Sequence, residues 1–314
     1  MPKAGGRLDR LAPLAMVMLT RLLSWLPLRV VRILGGWVGA VIWMVNGRPA
    51  RITKVNLALC FPELSQHERA RLGKRSVQET ARLMAETGLI WHWSKERRLP
   101  TLKAVSGEEL IKESLAEKRG VLLLIPHFGN WEYLGLLLGK YPFTALYDPP
   151  RIKGLEAPMR RSRDRGGARL LRIDRVGLRV VYRALREGEM VAILPDQVPD
   201  RRAGIHVPFF GIPALTMTFA HRLIKKTHPL VLMASVTRVT GGFAVCFSPV
   251  SEDIYLDDAS QSVWAMNQAI EELVRSDLAQ YQWEYKRFKK QPLGVDKVYP
   301  KGLTAPVSRG EEDD

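Results

Sequence analysis

Two short runs constrain this chain most: Val121–Ile125 (VLLLI) and Met190–Leu194 (MVAIL). Each is wholly apolar and too short for a free-standing helix. Such a run suits a strand buried on both faces, the kind found inside parallel sheets. Strands of that kind need helices on both sides, and the intervening segments supply them. Asn130–Lys140, Gly154–Arg165, Gly177–Glu187, Thr216–Lys226 and Ala259–Gln280 read as helices; Phe143–Leu146 and Arg169–Ile173 read as further strands. Leu230–Arg238 and Phe243–Val250 flank Gly241-Gly242 and read as a hairpin. The predicted class is α/β, with a mixed central β-sheet flanked by helices.

Ahead of the sheet, residues 47–103 carry apolar positions at helical spacing, with Ser65 as a cap. Ser106 and Glu109 form a capping-box pattern before Leu110 and Ile111, and Gly120 is expected to close that helix. No internal repeat is visible.

The N-terminus is apolar and basic at once. Residues 11–28 (LAPLAMVMLTRLLSWLPL) approach the length of a membrane span, with Arg21 interrupting. A second apolar stretch, Leu34–Val45, follows Arg29 and Arg32. Trp25, Trp37 and Trp43 are spread through the region, and Trp favours the membrane–water interface. Up to Lys54 the only acid is Asp9. Residues 1–46 therefore read as an apolar helical membrane anchor, lying in one leaflet or spanning once, with a buried helix pair as the alternative. A secretory signal fits poorly, because the apolar region is too long and no cleavage site follows cleanly. Residues 47–292 form the main domain, and 293–314, ending SRGEEDD, a flexible tail.

The formal net charge of +16 calls for an anionic partner. Nucleic acid is disfavoured, since the basic residues mix with membrane-like stretches and no nucleic-acid motif appears. Cys60 and Cys246 lie far apart and read as small buried apolar residues in a reducing compartment.

The chemistry concentrates in Ile125–Glu132, IPHFGNWE. His127 lies just beyond the C-terminal end of a buried strand, where ligands collect in α/β sheets. Pro126 ends the ladder, Gly129 lets the backbone approach a substrate, and Asn130 can cap the next helix. Glu132 then falls in the first helical turn. An ionised Glu132 near one imidazole nitrogen would fix the tautomer and leave the other nitrogen to take a proton from a hydroxyl. No Ser or Cys stands in the motif to be acylated, which favours direct attack by a substrate hydroxyl. A structural histidine with Glu132 on a solvated face is the alternative for a bare HxxxxE. No second His or Cys sits at metal-ligand spacing, so no metal is expected.

The stretch PHFGNWE resembles the HxxxxE motif of the bacterial lipid A biosynthesis acyltransferases, the late acyltransferases of the wider glycerolipid acyltransferase superfamily. NLALCFPELS (Asn56–Ser65), RRSRDRGG (Arg160–Gly167), ILPDQ (Ile193–Gln197), VPFFGIPALT (Val207–Thr216) and WEYKRFKKQP (Trp283–Pro292) resemble further segments of that family, in order. The resemblance implies an inner-membrane enzyme with its active site on the cytoplasmic side. It would move a fatty acyl chain from an acyl carrier protein thioester to a hydroxyl of a lipid A precursor, without a cofactor. His127 takes the general-base role and Glu132 the orienting role. Arg163 and Arg161 match the arginine serving the site or the phosphorylated glycolipid. Asp196, with Gln197 after it, matches the aspartate at a strand end and supports the site. The segments VPDRRAGIHV and MTFAHRL depart from the commonest pattern, which leaves acceptor and chain length open. An acidic carrier protein, a phosphorylated glycolipid and an anionic membrane surface would each be drawn to a +16 enzyme. An acyltransferase of the same superfamily acting on another glycolipid or aminolipid, and a thioesterase or lipid hydrolase, are the rival enzymes. A basic membrane-binding protein is the non-enzyme alternative.

Overall fold

The computed structural model describes residues 7–147, 156–165, 167–300 and 303. Four helices lead: α1 (Arg7–Trp25), α2 (Leu28–Met44), α3 (Arg48–Cys60) and α4 (Gln66–His92). Pro27, fixed in φ and without an N–H, separates α1 from α2. Ser65 caps α4 in a full capping box with Glu68, as its sequence predicts. α2 lies close against α4 because Gly35 and Gly39 face it. A Cβ at Gly39 would stand 2.5 Å from the Gln78 Cα, and one at Gly35 2.8 Å from the Arg82 Cα.

The rest alternates. In chain order come α5 (Lys95–Arg98), β1 (Leu102–Ser106), α6 (Glu108–Ala116), β2 (Val121–Leu124), α7 (Leu134–Leu138), β3 (Phe143–Tyr147), α8 (Glu156–Arg165) and β4 (Ala168–Arg172). Then follow α9 (Arg175–Arg186), β5 (Met190–Ile193), β6 (Gly204–Phe209), β7 (Ile212–Met217), α10 (Phe219–Thr227), β8 (Leu230–Val239), β9 (Gly242–Pro249) and α11 (Ala259–Ser276). The seven-stranded sheet has the order β1-β9-β8-β2-β5-β3-β4. β8, β2, β5, β3 and β4 run parallel, while β9 is antiparallel to β8 and carries β1 parallel to itself. The sheet is thus mixed and covered by helices on both faces, as expected.

β2 shows why the apolar runs read as they do. Val121 and Leu123 point into the core beneath α6 and α7; Leu122 and Leu124 point into the core beneath α9, α10 and α11. All four are fully buried, and each contributes roughly 1.5–3 kcal/mol of transfer free energy.

Several expectations need correction. β1 and the β6–β7 hairpin do not follow from the sequence pattern. Ser106 is the last residue of β1 rather than a cap; Gly107, at φ 75°, begins α6 without a side-chain hydrogen bond. α6 stops at Ala116, ahead of Gly120, which packs instead against the Leu185 carbonyl. The helix expected from Thr216 begins at Phe219, because Thr216 and Met217 belong to β7. Cys246 is exposed on β9, whereas Cys60 is buried. In the region read as an anchor, no single helix among the described residues is long and apolar enough to cross a membrane; α2 and α3 pass that test only together, across a 77° bend. The expected helix start at Gly154, and 301–302 and 304–314 of the tail, lie outside the described residues.

Replacing Gly39 with Val would push α2 off α4 and should destabilise the fold by about 1–3 kcal/mol. A thermal melt of the variant checks this; an unchanged Tm would mean that the two helices tolerate a wider separation.

Candidate active site

β2 and β5 are neighbours with Leu124 opposite Ile193. Each strand continues through a proline into a polar residue: Ile125-Pro126-His127 on one, Leu194-Pro195-Asp196 on the other. The equal offset brings His127 and Asp196 side by side beyond the sheet edge. The Asp196 carboxylate accepts from the His127 Nδ1–H at 2.8 Å and from the His127 backbone N–H at 2.8 Å. A carboxylate has no proton to offer here, so Nδ1 carries the hydrogen and Nε2 keeps its lone pair. The Gln197 amide donates to Nε2 at 3.0 Å.

Asp196 is almost fully buried. Burial alone would raise its carboxyl, but the adjoining His127, and Arg287 beyond it, hold it below the usual carboxylate range. The cleft above the imidazole is lined by Gln197 and by Tyr281, Gln282 and Tyr285 of the C-terminal segment. That segment is tied to the histidine loop: Gln282 donates its backbone N–H to the His127 carbonyl at 3.1 Å, and Gly129 donates to the Gln280 carbonyl at 2.9 Å. Tyr285 fixes the far wall by accepting from the Val198 N–H at 2.9 Å.

Glu132, expected beside an imidazole nitrogen, faces elsewhere. It sits in a 3-10 turn, Trp131–Tyr133, and binds Arg163 of α8 at 2.5 and 3.3 Å. Asp196 takes the place beside Nδ1 because strand register delivers it there. Trp131 touches both groups: its ring meets the His127 ring edge-on at 5.4 Å and lies 5.6 Å from the Arg163 guanidinium carbon. Arg161 is exposed on the same helix.

Asn130 makes no helix cap. Its side chain is fully buried and donates to Glu86 of α4 at 2.7 Å. Gly129 meets protein rather than open space: at φ 57° it lies so close to β8 that a Cβ would fall 1.8 Å from the Val236 carbonyl oxygen. Both residues hold the histidine loop in place.

Glu86 has no solvent exposure. Besides Asn130 it accepts from Arg32 of α2 at 2.6 Å and Arg238 of β8 at 2.8 Å. Arg238 also donates to the Gly129 carbonyl at 3.0 Å. Sequence reasoning missed this cluster; its signal was a charged residue in register with Leu83, Leu89 and Ile90 on the buried face of α4. Glu284 was missed as well. Burial pushes its carboxyl up to about 7, against the Thr80 hydroxyl and the nearby His127.

The arrangement can take a proton at Nε2, and Asp196 on Nδ1 stabilises the resulting imidazolium. Comparison with known proteins gives it a context. The profile of the bacterial lipid A biosynthesis acyltransferase family matches residues 8–290. The chain is 30% identical over 281 residues to the lipid A biosynthesis lauroyltransferase of Escherichia coli K12, covering 87% of this chain and 90% of that protein. It is 29% identical over 279 residues to the palmitoleoyltransferase of the same organism, again covering 87% and 90%. To that organism's lipid A biosynthesis myristoyltransferase it is 24% identical, covering 81% and 79%.

Glu86→Gln should destabilise the fold by about 3 kcal/mol, because the partly buried Arg32 guanidinium loses its carboxylate and Arg238 keeps only Glu79. Denaturant unfolding measures it, and a loss below about 1 kcal/mol would mean that solvent or backbone carbonyls replace the charge. Glu284 gives a pH signature. Its folded-state value stands above its unfolded one, so its contribution to stability is whole below about 4.5 and lost as pH rises through about 7. Glu284→Gln should therefore melt higher than the parent at about pH 8 and show a flatter Tm profile from about pH 5 upward; parallel profiles would contradict this.

Proposed function

The chain belongs to the bacterial lipid A biosynthesis acyltransferase family and is an acyltransferase; from that premise we propose that it transfers a fatty acyl chain from an acyl carrier protein thioester to a hydroxyl of a lipid A precursor. The observation that carries the mechanism is the buried Asp196 on Nδ1 of His127, with Nε2 turned to the cleft.

In this reading the acceptor hydroxyl displaces Gln197 from Nε2. Its proton passes to Nε2 as its oxygen attacks the thioester carbonyl, and Asp196 stabilises the imidazolium. The tetrahedral intermediate collapses to the ester, the C–S bond breaks, and the leaving thiolate takes the proton back from Nε2. No acyl-enzyme is formed. Arg163, oriented by Glu132 and stacked on Trp131, is the cation for the acceptor's phosphate, with Arg161 beside it on α8. Glu132 thus acts through Arg163, and Asp196 orients the histidine. Trp131 and Tyr285 narrow the approach of water, whose attack on the thioester is the competing reaction.

The acceptor is a lipid, and the first two helices suit its source. Met18, Leu22, Trp25, Trp37 and Met44 are all largely exposed along α1 and α2. An apolar face of this kind, rimmed by Arg21 and Arg29, fits insertion into one anionic leaflet. Such a face supports the reading of an enzyme that works on the cytoplasmic side of the bacterial inner membrane.

Purified protein in detergent, given acyl carrier thioesters of several lengths and a phosphorylated lipid A precursor, should add one acyl chain as read by mass spectrometry. His127→Ala should abolish the gain, and Asp196→Asn should lower kcat by about 10²–10⁴ with little change in donor KM. Free fatty acid as the sole product would replace the transferase reading with hydrolysis.

A further inference from the structure

α9 (RVGLRVVYRALR) contains no acid, and Arg175, Arg179, Arg183 and Arg186 fall on one side of it. At 3.6 residues per turn these positions lie within less than a quarter of the helix circumference. All four are exposed, while Gly177, Val181, Ala184 and Leu185 on the opposite side are buried. Of the four, Arg183 is paired, with Glu187 at 3.8 Å; among the described residues no ion pair engages Arg175, Arg179 or Arg186, although Asp174 caps the helix beside Arg175 through the Gly177 N–H. α4 and α6 mix their charges, with Glu68, Glu79 and Glu86 on the one and Glu108, Glu109 and Glu113 on the other; α2, α3 and α10 also lack acids, but none of them carries four exposed arginines on one side. At the start of α9 two apolar side chains also face solvent, Ile173 at 62% and Val176 at 68% exposure. They lie apart from the apolar face of α1 and α2.

The position of this stripe gives it meaning. α9 follows β4, so its first turn stands at the same edge of the sheet as His127, which follows the parallel strand β2. β4 lies three strands from β2, a lateral separation of about 14 Å. A phosphopantetheine arm spans such a gap in extended form. On the other side of β2, Arg32 ties α2 to the Val239 and Gly242 carbonyls at the β8–β9 turn. The imidazole therefore stands between an apolar helix pair and a basic helix.

Resting on the acyl-carrier reading above, we propose that the exposed face of α9, with Ile173 and Val176 at its head, is the docking surface for the acidic acyl carrier protein. The carrier lays an acidic helix along Arg175, Arg179, Arg183 and Arg186. Its apolar contact falls on Ile173 and Val176, and its pantetheine arm runs over the sheet edge to Nε2 of His127. An anionic membrane would also attract arginines, but it is already matched by α1 and α2 across the sheet.

The test uses the full chain in vesicles containing the phosphorylated glycolipid. Initial rates of wild type and of Arg175→Glu/Arg179→Glu are compared with two donors: the acylated carrier protein and the same acyl chain on free pantetheine. The reversal should raise KM for the acylated carrier about tenfold or more, leave kcat unchanged, and leave turnover of acyl-pantetheine unchanged. The gap between the two proteins should narrow as salt rises. Unchanged KM for the carrier would overturn the assignment, and so would equal losses with both donors. Weakened co-sedimentation with anionic vesicles, with carrier KM intact, would reassign the stripe to the membrane. If the charge-reversed pair melts early, Arg175→Gln/Arg179→Gln carries the same test, with a smaller rise in KM expected. Failure of the donor reading shows separately: wild type itself would then turn over acyl-pantetheine without being helped by the carrier.

Discussion

The Glu86 carboxylate is the point on which the histidine loop rests. It is a fully buried charge, and its hydrogen bonds come from three elements: Arg32 on α2, Arg238 on β8 and Asn130 beside the histidine. A buried carboxylate without partners would be several kcal/mol out of balance, so these donors are obligatory rather than decorative. Arg238 carries the restraint onward to the Gly129 carbonyl. The loop that presents His127 is thus held by the same group that fastens the apolar N-terminal helices to the sheet. In energetic terms, placement of the imidazole and placement of the apolar N-terminal helices are one problem.

A second constraint is strand register. His127 and Asp196 are distant in sequence but equally far beyond paired residues of β2 and β5. No side-chain search is needed to bring them together; the sheet does it. The tautomer follows from burial and charge at Asp196. Gly129, with no room for a Cβ against Val236, lets the chain turn tightly enough after the histidine for Asn130 to reach Glu86.

Much of this was legible in the sequence, for reasons that can be named. VLLLI and MVAIL declare buried parallel strands because no polar side chain interrupts them. His127 stands out because a proline ends the ladder before it. The partner of the imidazole is not legible in HxxxxE, because Glu132 is near along the chain but turns to Arg163, while Asp196 is distant in sequence and near in space. The repeated strand–Pro–polar pattern in IPH and LPD pointed to Asp196 instead. The β6–β7 hairpin hid because its apolar residues pack around Phe209 and Phe210 against the closing aromatic segment, a tertiary arrangement with no local period. The apolar character of residues 1–46 was legible. Their division at Pro27 into α1 and α2, neither long and apolar enough to cross a membrane, depends on interhelical packing.

β1 and β4 end the sheet, and each leaves one row of backbone donors and acceptors unpaired by another strand. Both are only five residues long. β4 carries Arg169 and Arg172, and β1 carries Lys103. Arg169 pairs with Glu189 and Arg172 with Glu156, so the β4 rim carries charges of both signs; short strands with charged side chains are poor templates for another chain, and two molecules cannot easily extend one sheet into the next. Crowded neighbours meet a short charged rim rather than an open template, which keeps crowding from becoming aggregation.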